Sequence, residues 1–153
     1  MKVFDSKKQQ LTMQDVILHS LGNMREKLPV PMDQAILLII EEAKLPNTEM
    51  MLLGNTVFIS HYSEDGKQAV MRALNVDNAK NYMKSGEAFV RYMMQRGVES
   101  FVTQYDVESY GIPMKQIQKN KLGTVTFDKT KKGTFLALVQ LNKPRKKDAV
   151  QPK

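Results

Sequence analysis

The hydrophobic positions of this chain change period along its length. Met13, Val16, Ile17, Leu21, Met24 and Leu28 recur at three- and four-residue intervals, the spacing that lines one face of a helix. Thr12 followed by Asp15 resembles a capping box with aspartate in the usual glutamate's place. A helix over about residues 12–27 is therefore predicted. Pro29 and Pro31 end it, and Pro31 suits the opening of a second helix with Asp33 near its positive end. That second helix, MDQAILLIIEEAKL, stops at Pro46 and is apolar on all sides at its centre, which predicts deep burial.

From Glu49 the pattern becomes that of strands. Met50 to Leu53, the Gly54-Asn55 pair and Thr56 to Tyr62 read as strand, tight turn and strand. Ser63-Glu64-Asp65-Gly66 is a second turn, and Lys67 to Val76 a third strand. Helical spacing then returns through Ala79, Tyr82, Met83, Gly86, Phe89, Val90 and Met93, with Gly97 placed as the stop. Val98 to Tyr105 is a strand reached through that crossover helix, so it should run parallel to the third strand. A short helix over 113–120 and a hairpin of Thr124–Asp128 with Thr134–Leu141 complete the pattern. The order is α-α-β-β-β-α-β-α-β-β, an α/β (α+β) mixed, mostly antiparallel sheet with helices on both faces.

Composition narrows the classes of function. At 153 residues the chain reads as a single domain over 12–142, with a flexible lead-in over 1–11 and a basic flexible tail over 143–153. The longest apolar run, Ala35 to Ile40, is six residues, so no membrane span is expected. The first ten residues lack the apolar region of a secretory signal. Without cysteine there is no disulfide or thiolate chemistry, and with His19 and His61 the only histidines, a histidine-rich metal cluster is out of reach. No metal site is expected. The net charge of +7, from 23 basic and 16 acidic residues, favours anionic partners.

The succession of strand 67–76, helix 78–96, strand 98–105, helix 113–120 and strand 123–129, with the phrase KQIQKNKLGTVTF, resembles the core of the GNAT acetyltransferases. The resemblance covers about residues 32–141 and lies in element order and hydrophobic pattern. Within that group the chain is similar to the small GNAT-like internal virion proteins of short-tailed bacteriophages. The resemblance implies acetyl-CoA bound through a Q/R-x-x-G-x-G/A loop at the start of the helix following the third strand, where backbone N–H groups approach the pyrophosphate. The residues here are Asp77, Asn78, Ala79, Lys80, Asn81 and Tyr82, with no glycine before Gly86. Positional candidates for cofactor binding are Val76, Asn78 and Ala79. Asp77 or Asn78 fits a helix N-cap better than a phosphate cradle. GNAT enzymes often protonate the departing thiolate with a tyrosine near the last helix, and the resemblance makes Tyr110 the candidate, with Tyr105 second. Glu64 and Asp65 are accounted for by their turn, and His61 by a structural role.

Two further patterns bear on partners. The pairs Met50-Met51 and Met93-Met94 each place one methionine off its own core stripe, a disposition found at adaptable protein contacts as well as in ordinary cores. Lysines cluster at Lys115, Lys119 and Lys121, and basic residues at Lys129, Lys131, Lys132, Lys143, Arg145, Lys146 and Lys147. They form either a solvated rim or a surface for an anionic partner such as nucleic acid. The expected function is a non-enzymatic GNAT-like protein of assembly or interaction, with a protein partner or self-association, no cofactor and no membrane, in a bacterial cytoplasm or a virion. The alternatives are an N-acetyltransferase using acetyl-CoA through a degenerate loop, and a basic nucleic-acid-associated protein.

Overall fold

The computed structural model describes residues 2–105, 112–129 and 135–142. Its elements are α1 (Met13–Asn23), α2 (Met32–Ala43), β1 (Thr48–Leu53), β2 (Thr56–Tyr62), β3 (Gln68–Asn75), α3 (Ala79–Arg96), β4 (Ser100–Tyr105), α4 (Ile112–Lys119), β5 (Gly123–Lys129) and β6 (Phe135–Leu141). This is the predicted order. The six strands form one mixed sheet in the order β1-β2-β3-β4-β6-β5. β3 and β4 are parallel, as their helical crossover requires, while β1–β2, β4–β6 and β5–β6 are antiparallel.

Chain contacts sort into two compact units, Met1–His61 with Ala73–Ser85, and Tyr62–Arg72 with Gly86–Lys153, so that both β3 and α3 run through the two. In the first unit, Val16 and Leu21 of α1 and Ala35 and Ile39 of α2 pack with Val57, Ile59, Leu74 and Val76 into one buried cluster. The capping box of α1 forms as read, with Thr12 Oγ1 accepting from Asp15 N. The helix is shorter than predicted, because a 3-10 turn over Arg25–Lys27 takes its last residues.

The expected deep burial of α2 is corrected. Only Ala35 and Ile39 are buried, whereas Leu37 and Leu38 are 58% and 60% exposed and Ile40 is exposed with them. An apolar centre on all sides reads as burial in sequence, but one layer of neighbours covers one face.

The lead-in before α1 is also not the free segment expected over residues 1–11. Phe4 N donates to Val76 O at 2.7 Å and Ser6 N to Asp77 Oδ1 at 2.9 Å. Further along, Gln10 Nε2 donates to Gly54 O and Leu11 N to Asn55 Oδ1. The bare Gly54-Asn55 turn sets the length of the hairpin and leaves polar groups that the lead-in meets. Gly54 has φ +57°, and a Cβ there would stand 2.7 Å from Ser85 Oγ and 2.9 Å from Asp77 Oδ2. The position needs glycine for its conformation and for room.

In the second unit the buried side chains include Met71, Phe89, Val90, Met93, Phe101, Ile117, Ala137 and Val139. Gly97 closes α3 with φ +95°, Gly97 N bonding Met94 O and Val98 N bonding Met93 O. These are the two bonds of a Schellman stop. α4 packs on β5, and Gln118 Oε1 accepts from Val125 N.

Candidate functional site

The turn from β3 into α3 holds the positional cofactor candidates, and several of its polar groups have partners within the chain. Val76 N donates to Asn55 O and Val76 O accepts from Phe4 N. Asp77, buried, accepts from Ser6 N at 2.9 Å through Oδ1 and from Asn55 N at 3.0 Å through Oδ2. Asn78 Oδ1 accepts from Asn81 N at 2.9 Å, which makes Asn78 the N-cap of α3. Ala79 is exposed and opens the helix. Asn81 Nδ2 donates to Asp5 Oδ1 at 3.0 Å, so a second carboxylate stands at the same helix start. The Lys7 amide on Asp5 holds its carboxyl below the usual range, with Asn81 adding to the effect against partial burial.

This arrangement departs from the glycine-containing pyrophosphate loop that the resemblance implies. A pyrophosphate needs unengaged N–H groups and close backbone approach. Here one amide at the helix start is capped by a side chain, two carboxylates flank it, and the lead-in lies alongside as a parallel bridge between Phe4 and Asp77.

A second polar constellation lies at the other end of the β1–β2 hairpin. The two-residue turn sets a register in which Thr48 faces His61. Thr48 Oγ1 is 3.0 Å from His61 Nδ1, and His61 Nε2 is 2.5 Å from Glu42 Oε2 at the end of α2. The carboxylate requires Nε2 to carry hydrogen. Thr48 then either donates to a neutral ring or accepts from a charged one, its hydroxyl also lying 3.3 Å from Pro46 O. The ring is thereby fixed on both sides and ties α2 to the hairpin.

The remaining candidates are scattered. Asp65 Oδ1 accepts from Ser63 Oγ at 2.7 Å and Lys67 N at 3.0 Å, and these bonds, the Lys67 amide first, hold its carboxyl below the usual range. Glu64 is an exposed member of the same turn. Tyr105 closes β4, and Tyr110 lies outside the described residues. Lys115, Lys119 and Lys121 are exposed around α4, and Lys129 at the end of β5 places Nζ 5.6 Å from the centroid of the Phe135 ring. Lys131, Lys132, Lys143, Arg145, Lys146 and Lys147 lie outside the described residues. Met93 is fully buried, while Met50, Met51 and Met94 are half-buried. Among the described residues no group of acids and histidines could hold a metal, and no helix is long and apolar enough to cross a membrane.

Comparison with solved structures places this architecture. The chain superposes on aminoglycoside 6'-acetyltransferase type Ii with a TM-score of 0.55 at 9% identity, covering 94% of this chain and 98% of that one. It superposes on the ribosomal-protein-S18-alanine N-acetyltransferase of Escherichia coli with a TM-score of 0.51 at 10% identity, covering 90% and 95%. The fold is the GNAT acetyltransferase fold. An uncharacterised protein of Bacillus halodurans matches with a TM-score of 0.51 at 17% identity, over 92% of this chain and 89% of its own. No family model and no curated protein matches the sequence.

The sequence left the cap of α3 between Asp77 and Asn78, which the hydrogen bond to Asn81 N assigns to Asn78, and it carried no sign of the roles of Asp5, Ser6 and Asn55. No local signal joins residues so far apart in sequence. The Thr48–His61 pair follows from the two-residue turn after Leu53, which determines which residues face one another.

Proposed function

We propose that this chain is a GNAT-fold protein whose role is interaction or assembly, without acetyl-CoA chemistry at the start of α3. The observation that carries this reading is the turn itself. Asp77 accepts from Ser6 and Asn55, Asn78 caps α3, and Asn81 is engaged by Asp5. The exposed apolar side chains of α2, Leu37, Leu38 and Ile40, support a protein contact, either with a partner or with a second copy. The finer reading, a component of a short-tailed bacteriophage particle, rests on the resemblance in sequence pattern alone.

The competing reading is an N-acetyltransferase, and the superposition on two acetyltransferases over nine-tenths or more of this chain is the observation in its favour. Thermal melting with acetyl-CoA separates the two. A ligand of the folded state stabilises by RT ln(1 + [L]/Kd), about 2.7 kcal/mol at one hundred times Kd. The expected result is an unchanged melting temperature up to millimolar acetyl-CoA. A saturable rise would establish cofactor binding and overturn the reading.

A further inference from the structure

Three lysines converge on the outer side of the first turns of α3. Lys80 and Lys84 are four residues apart and so neighbour one another along one helix face. Lys7 comes from the far end of the sequence. Its position follows from two carboxylates: Asp5 Oδ1 accepts from Lys7 N at 2.9 Å and from Asn81 Nδ2 at 3.0 Å, and Asp77 Oδ1 accepts from Ser6 N at 2.9 Å. The segment carrying Lys7 is thereby fastened to the start of α3.

All three lysines are exposed. The Lys7 side chain, by its charge first and by a hydrogen bond second, and then the Lys80 ammonium push Lys84 below the usual lysine range, in keeping with the placement of the Lys7 segment at the start of α3. Among the described residues no carboxylate forms an ion pair with any of them. Asp5 feels Lys7 and Lys8, yet its Oδ1 is held by Asn81 and the Lys7 amide. Glu87, on the next turn of α3, pairs with Arg91 at 3.1 Å. The fold thus brings the Lys7 segment to the helix start that carries Lys80 and Lys84, through hydrogen bonds that are exposed at Lys7 N and partly buried at Ser6 N and Asn81 Nδ2.

We propose that Lys7, Lys80 and Lys84 form a contact surface for the phosphate backbone of nucleic acid. Lysine ammonium groups act as point charges, suited to phosphates without reading base identity. A backbone offers a negative charge at every nucleotide, so a compact trio of cations finds several phosphates in any register. The net charge of +7 draws such a polyanion toward the chain as a whole.

The test is binding of the full chain to a short duplex DNA, followed by fluorescence anisotropy over a range of salt concentrations. Each neutralised phosphate contributes about −0.9 to the slope of log K against log salt on duplex DNA. The Lys7→Ala, Lys80→Ala, Lys84→Ala triple variant should lose about 2.7 from that slope's magnitude. The triple Lys→Arg variant should keep it. A comparison triple, Lys27→Ala, Lys44→Ala and Lys67→Ala, removes the same charge from other exposed positions and should leave the slope unchanged. Without DNA the first variant should melt at or above the parent temperature, because a repulsion has been removed. Equal loss in both alanine triples would assign the binding to net charge and overturn the proposal. Absence of DNA binding by the parent chain would overturn it, as would trio-dependent binding to poly-glutamate in place of DNA.

Discussion

At the scale of single residues, Gly54 and Gly97 separate two reasons for requiring glycine. Both have positive φ, but a Cβ at Gly97 would meet nothing within 4 Å, whereas one at Gly54 would crowd Ser85 and Asp77. Gly97→Ala should therefore cost only the conformational penalty, about 1 kcal/mol. Gly54→Ala should cost about 2–4 kcal/mol, the same penalty plus overpacking. Urea denaturation of the two variants measures the difference, and equal losses would contradict the crowding. Protonation acts at this scale as well. The folded-state carboxyls of Asp5 and Asp65 lie below their ordinary range, chiefly through backbone N–H groups of Lys7 and Lys67. Their contribution is complete above the unfolded value of about 4 and is lost as pH falls through the depressed folded values. Asp65→Asn should make the urea midpoint fall less between pH 5 and pH 2 than it does in the parent chain. The effect is small because both groups face solvent.

At the scale of elements, α2 shows how one helix can combine a core face with an exposed apolar face. Ile39 is 6% exposed within the first unit's core, beside Leu38 at 60%. Ile39→Ala should destabilise by about 2–4 kcal/mol through lost burial and a cavity. Leu38→Ser should stay within about 0.5 kcal/mol. Chemical denaturation of the two variants tests this assignment, and a large loss at Leu38 would mean the face is covered in the isolated chain. The end of α2 is held by Glu42 on His61, whose other ring nitrogen faces Thr48. One imidazole therefore joins the helix to two strands, a structural duty consistent with the role the sequence suggested for His61.

At the scale of the whole molecule, the exposed leucines of α2 become a statement about association. Leu37, Leu38 and Ile40 leave apolar surface exposed. Under the assembly reading, sedimentation velocity should show a species that grows with concentration. Leu37→Lys with Leu38→Lys should return it to monomer while leaving the melting temperature near that of the parent. A chain that sediments as monomer at all concentrations, with and without these changes, would leave self-association without support and direct the search to a different protein partner.

The order of elements, the parallel crossover, the stop at Gly97 and a helix cap at Asp77 or Asn78 were all legible in the sequence. Each follows from local rules: hydrophobic period, turn residues, and the hydrogen-bonding habits of short polar side chains. Even the facing of Thr48 and His61 follows from the length of one turn. The sequence also carried the absence of a glycine loop at 77–82, the reason to doubt a cofactor there. Tertiary structure alone decided which face of α2 is covered, because the apolar run Ala35 to Ile40 at its centre offers the core more than one face. It also decided that the lead-in is fastened rather than free, that Asp77 serves Ser6 and Asn55, and that Lys7 joins Lys80 and Lys84. Those contacts bring together residues from 22 to 76 positions apart. Their cause is the satisfaction of buried polar groups across a folded chain, which no local pattern encodes.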